Sequence, residues 1–218
     1  MAGILFNVPN TYPSGSPAVW YDLSTLNGLS DGDPITSVPD LSGNEENTSA
    51  LGTITFKTNI QNGLSIARFP GIASNYLRNL TFSSSAQPIT IFVVFKYSDP
   101  IGAPWWISDS SDGPYLTTSA GKHALYAGSS WASSIDYNTT NFVLATIIFN
   151  GASSSIRING VSGGVGNPGT DEFDTGLHIG ASHSGSNVFN GDLGEFLLYN
   201  NLEDPTTNEA KLIAKWGV

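Results

Sequence analysis

The chain has 218 residues, and its eight Lys and Arg against eighteen Asp and Glu give a formal charge of −10. A nucleic-acid partner needs a cationic surface that releases counterions and an anionic membrane repels a surface like this one, so neither is expected as a partner. Cysteine is absent, which excludes disulfides, thiolate metal sites and cysteine nucleophiles.

Met1–Pro17 reads as an arm. Ile4, Leu5, Phe6 and Val8 form a small apolar patch ahead of a Pro/Gly/Ser stretch. Two uses stay open: a strand tucked onto the domain edge, or a docking peptide for a partner. The start lacks a basic n-region and its apolar run is too short for a signal peptide. Export by the usual route is therefore not expected; trimming of a longer precursor, or release inside an assembled virus particle, would replace it.

Residues 18–218 read as one domain, a length that a single all-β domain often reaches. Short β-rich runs alternate with turn residues: "AVWYD", "ITSVPD", the turn "LSGNEEN", "GTITFK", then "LSIARF" after Asn62-Gly63. "ITIFVVFKY" is the strongest strand. Ile89, Ile91, Val93, Phe95 and Tyr97 line one face and Phe92 and Val94 share the other, as in a strand covered on both sides. "FVLATIIFN" reads the same way. "SIRING" alternates Ile156 and Ile158 with Arg157 and Asn159 and turns at Asn159-Gly160, a half-buried hairpin strand. Tyr115, Tyr126 and Trp131 fall in loop-rich sequence, and 161–170 reads as a Gly-rich loop. "GLHIG" and "DLGEFLLYN" complete the strands. The period then changes: Asp204 suits an N-cap, Pro205 the first helical position and Gly217 the stop, with Leu212, Ile213 and Trp216 on one helical face and Lys211 and Lys215 on the other.

This pattern predicts an all-β fold: a two-sheet antiparallel sandwich or barrel with one short C-terminal helix. Charged residues make up only 12%, about half the usual share, so neutral Ser, Thr, Asn and Gly must solvate the surface.

Catalysis finds little support. Asp192 and Glu195 differ by an odd number, so a regular strand sends them to opposite faces, with Glu195 beside Leu193, Leu197 and Tyr199; a bulge would change this. Asp171, Glu172 and Asp174 in "DEFD" lack the outer glutamates of a glucanase array, and Glu-x-Asp-x-x-Glu occurs nowhere. No cofactor is expected. Calcium stays open at "DEFD" and at "LSGNEEN", on oxygen-ligand chemistry alone. His123, His178 and His183 show no zinc spacing, and a Gly-x-Ser-x-Gly elbow is absent. The best site signal is aromatic. Trp105, Trp106, Tyr115 and Trp131 are the candidate ligand-binding residues, because exposed rings stack on sugars; the alternative is that most of them fill the core.

In order, "VWYDLS", "PDLSGNEENTSA", "NGLSIARFPG", "ITIFVVFKY", "SIRINGV", "FNGDLGEFLLYN" and "EAKLIAKWGV" resemble the laminin-G-like branch of the concanavalin A-like lectin/glucanase superfamily across roughly Ala18 to Val218. The resemblance implies a two-sheet jelly roll. It also implies a binding or adhesion role, often in bacterial surface proteins and in phage head-surface and tail proteins. Glu45 stands where the family turn carries glycine, which speaks against carrying a metal role over to Asp40. The expectation is a non-catalytic virion surface protein, a head decoration or tail fibre component, binding glycans and meeting other virion proteins through the arm or a sandwich edge. A homo-oligomer is expected. The alternatives are a carbohydrate-binding module of a secreted bacterial protein and a glycoside hydrolase.

Overall fold

The computed structural model describes residues 13–98, 107–109, 113–137 and 140–218. In chain order they form β1 (Val19–Asp22), β2 (Pro34–Val38), β3 (Thr48–Gln61), β4 (Leu64–Pro70), β5 (Tyr76–Asn79), β6 (Ile89–Tyr97), β7 (Ile107–Ser108), β8 (Tyr115–Ser119), β9 (Lys122–Tyr126), β10 (Ser130–Asp136), β11 (Val143–Phe149), β12 (Ser154–Ile158), β13 (Val161–Gly166), β14 (Leu177–Ile179), β15 (Asn190–Tyr199) and the helix α1 (Pro205–Trp216). The fold is the expected antiparallel jelly-roll sandwich with one short helix.

One layer runs β13-β12-β11-β6-β15, and β15 pairs with β4 through its first half and with β1 through its second. Both Asn-Gly turns close hairpins. Asn62-Gly63 joins β3 to β4 and Asn159-Gly160 joins β12 to β13, with positive φ at all four residues, the geometry that two-residue hairpins of this kind demand. β3 pairs with β4 towards its end, and with β2 and β5 nearer its start. Its 14 residues thereby carry the ladder around the sandwich corner into β5-β14-β7. A separate sheet, β8-β9-β10, completes the second layer. Two stretches read as loop are therefore strands: 115–136, which forms this sheet, and Val161–Gly166, the edge strand β13.

The two faces of β6 explain the layering. Ile89, Ile91, Val93, Phe95 and Tyr97 join the main core between the sheets, while Phe92 and Val94 join a second cluster with Leu197, Tyr199, Leu212 and Trp216 under α1. The helix is capped as its sequence predicts. Asp204 accepts the Thr206 N–H at 3.0 Å, Pro205 opens the first turn, and Gly217 closes it at φ 66°. A bidentate ion pair fastens it to the sheet, from Arg157 on β12 to Glu209, at 2.7 and 3.1 Å. Residues just ahead of β1 are held to the same side. The Tyr199 hydroxyl donates to the Ser14 carbonyl at 2.8 Å, and the Ser14 N–H donates to Asn208 Oδ1 at 2.9 Å. Residues 1–12 lie outside the described residues.

Candidate functional site

The acidic pair on β15 does not keep strand alternation. Leu193 faces Phe95 and Glu195 faces Val94, so Gly194 is an extra, bulged residue. The bulge puts Asp192 and Glu195 on the same outward face and separates Glu195 from Leu193, which stays in the main core; this corrects the opposite-face expectation. The two acids are still engaged separately. Asp192, nearly buried, holds Arg68 in a fork, Nε to Oδ1 at 2.7 Å and Nη2 to Oδ2 at 2.9 Å.

Glu195 is fully buried and accepts from the Trp20 indole on Oε1, and from the Trp216 indole and Lys215 on Oε2, at 2.7–2.8 Å. The Lys215 ammonium also donates to Asp22 at 2.5 Å, so this lysine turns in to the sheet instead of facing solvent. Burial, then the negative charge of Asp22, push the Glu195 carboxyl above the usual carboxylate range, against the pull of Lys215. Asp22 and Glu195 do meet, as cross-strand partners, but through a lysine that bonds both and beneath Trp216. A glycosidase pair needs space for a sugar and its glycosidic oxygen at that point.

The other polar clusters serve the backbone. Asp40 accepts the N–H groups of Trp20, Ser42 and Glu46 and the Ser42 hydroxyl, which fixes the "LSGNEEN" turn. Glu45 sits there at φ 62°, a left-handed conformation that glycine adopts without strain. In "DEFD", Phe173 is buried and exchanges backbone hydrogen bonds with Ser85, while Asp171, Glu172 and Asp174 are exposed. Asp109, which sequence reasoning missed, is fully buried and accepts from the N–H groups of Gly113 and Asp174 at 2.8 and 2.5 Å. Among the described residues no group of three or more His, Asp or Glu is arranged to hold a metal ion.

His123 on β9 is fully buried, with Phe95 edge-on at 6.5 Å and no hydrogen-bond partner on either ring nitrogen among the described residues. Burial lowers its pKa to about 4. His178 lies against Tyr76, ring centres 5.2 Å apart, and its pKa is also lowered, chiefly by burial.

Two aromatic residues come together. Tyr115 and Tyr126 are cross-strand partners on β8 and β9, and their half-buried rings stack 4.7 Å apart at 12°. Their neighbours Leu116 and Leu125 point the other way, into the main core. Ala120 and Gly121 both take positive φ and make the two-residue turn of this hairpin, without the Asn-Gly pair that marks the other two in the sequence. Trp131 pairs with Leu125, so it shares the inward face. It packs against the main core with its indole lying over the glycines of β13, and a Cβ at Gly166 would overlap it. Trp105 and Trp106 lie outside the described residues.

No protein-family model and no curated protein sequence matches the chain. Solved structures do. Domain 4 of AbnA, an extracellular GH43 arabinanase from Geobacillus stearothermophilus, solved with arabinotriose, is 15% identical; the match covers 89% of this chain and 97% of that one, with a TM-score of 0.65. The binding domain of Paraclostridial Mosquitocidal Protein 1 is 13% identical over 85% of this chain, at a TM-score of 0.63, and a GH54 α-L-arabinofuranosidase is 14% identical over 84%, at 0.65. This chain spans about half of each of these two, 51%. At such identities the likeness shows a shared β-sandwich fold.

Proposed function

We propose that the protein is a non-catalytic, lectin-like glycan-binding module displayed on a surface. The observation that carries this reading is the Tyr115–Tyr126 pair: two parallel rings on the outward face of a sheet whose other face is core. Aromatic faces of this kind bind sugar rings through apolar area with polar edges. Neighbours of the same fold include an arabinanase domain solved with arabinotriose and a botulinum neurotoxin ligand-binding domain solved with N-acetylneuraminic acid. Trp105 and Trp106, outside the described residues, stay candidate ligand-binding residues in this reading. The absence of catalysis is supported by the engagement of Asp22, Asp192 and Glu195 with Lys215 and Arg68.

The finer setting belongs to the same proposal. The module is of the laminin-G-like branch and decorates a virion head or forms part of a tail fibre, with the 1–17 arm or a sandwich edge meeting other virion proteins, and it self-associates. A second reading, a carbohydrate-binding module of a secreted bacterial protein, is favoured by the near-complete overlay on one domain of an extracellular arabinanase.

A glycan array probed with the wild type and with Tyr126→Ala and Trp106→Ala tests the binding role. Spots that vanish in both variants support it, and an array blank for the wild type overturns it. Reducing-sugar release from mixed polysaccharides would overturn the non-catalytic part, and copurification with particles separates the two settings.

A further inference from the structure

The outward face of the first layer carries a polar row beyond the end of α1. Lys96 on β6, Asp192 on β15, Arg68 on β4 and Thr55 on β3 lie directly opposite one another across four adjacent strands. A cleft of about 440 Å³ opens on this row, lined by Thr53, Thr55, Arg68, Ile72, Ser98 and Asn190 among others. Its size is that of a small-ligand pocket.

The chemistry of the lining is specific. Asp192 is nearly buried and takes Nε and Nη2 of Arg68. That grip fixes the guanidinium plane and leaves Nη1 without a partner among the described residues. The Arg68 side chain is 44% exposed, so the fixed cation remains reachable from solvent. A guanidinium held from behind by one carboxylate is pre-organised to receive a second on its free edge. Lys96, opposite Asp192, lines a neighbouring cleft beside Phe142 and Gly217 instead. Nearby, Lys57 is paired with Asp31. Arg68 and Lys57 thus stand at the cleft with one carboxylate partner each, in a chain of net charge −10. The remaining walls suit a sugar. The side chains of Thr53, Thr55, Ser98 and Asn190 have no hydrogen-bond partners among the described residues, and Ile72, 60% exposed, supplies an apolar lip.

We infer that this cleft is a second ligand site, on a different layer from the tyrosine pair, that takes a carboxylated sugar residue of the uronate type. Arg68 receives the carboxylate, the hydroxyl and amide groups receive the sugar hydroxyls, and Ile72 packs on the ring. The inference rests on the cleft alone and stands or falls independently of the Tyr115–Tyr126 surface.

The test is a titration of the ¹⁵N-labelled full chain with trigalacturonate, its methyl ester and acetate, following the amide signals of Thr53, Thr55, Ile72 and Asn190. These signals should shift with trigalacturonate and stay in place with the ester and with acetate at equal concentration. Arg68→Gln should weaken binding at least tenfold. Arg68→Lys, which keeps the charge without the fork, should weaken it severalfold, and Asn190→Ala, which spares the ion pair, should weaken it measurably in a folded protein. Equal shifts with ester and acid, equal shifts with acetate, affinity unaffected by Arg68→Gln or Asn190→Ala, or no shift in the cleft at all would each overturn the assignment.

Discussion

The indole of Trp216 rests on Gly194: a Cβ built on that glycine would stand 2.7 Å from the indole's Cη2. The requirement is one of space, because the bulge brings the backbone of β15 against the ring that anchors α1. Gly194→Ala should push the helix outward and cost roughly 1–3 kcal/mol, the usual range for overpacking. Denaturant unfolding followed by tryptophan fluorescence reads this as a lower midpoint; an unchanged midpoint would show that the helix accommodates the methyl freely.

Lys215 joins two nearly buried carboxylates. Lys215→Met should leave Asp22 and Glu195 facing each other uncompensated, at a cost of about 3 kcal/mol, reduced from larger values because the lysine side chain is 26% exposed. Adding Glu195→Gln should recover part of the loss, since a neutral amide oxygen still accepts from an indole N–H. A double variant no more stable than the single one would contradict this.

His123 ties stability to acid. Its folded pKa of about 4 lies below the ordinary histidine value of 6.5, so between these limits the unfolded chain binds a proton that the folded one refuses. The stability associated with neutral His123 is complete above pH 6.5. It falls as pH drops through this window, by about 3 kcal/mol in all at roughly 1.4 kcal/mol per pH unit. His178, lowered in the same direction, adds to the slope. His123→Leu should flatten the dependence of the denaturation midpoint between pH 6.5 and 4, and an undiminished slope would place the effect elsewhere.

Trp131 and Tyr126 should separate stability from binding. Trp131→Ala removes a ring packed on the core, at about 2 kcal/mol for a partly buried side chain, and should affect glycan binding only as far as folding suffers. Tyr126→Ala should lower glycan affinity tenfold or more with a melting temperature near that of the wild type. Parallel melting curves and array intensities check both.

The sequence carried the layered core plainly, because β6 and β11 are apolar on both faces and the helix is bracketed by Asp204, Pro205 and Gly217. The Asn-Gly turns marked two hairpins with equal clarity. Strands β8–β10 were hidden because Thr, Ser and Ala dilute their alternation and the turn lies in Ala120-Gly121. β13 looked like a loop because its glycines make room for the Trp131 indole, which lies outside the strand itself. The face of Glu195 was misread for a single reason: one bulged glycine inverts every side chain after it. The buried Asp109 and the Arg68 fork depend on contacts between residues 65 or more positions apart, which no local pattern records.

Ser14 is clasped by Tyr199 and Asn208, and Gly217 lies beside Asn62, so both ends of the described domain leave from the helix-bearing side. A bead or tag joined after Val218 would sit behind the first layer. The paired tyrosines of the opposite sheet would then face away from it, open to solution.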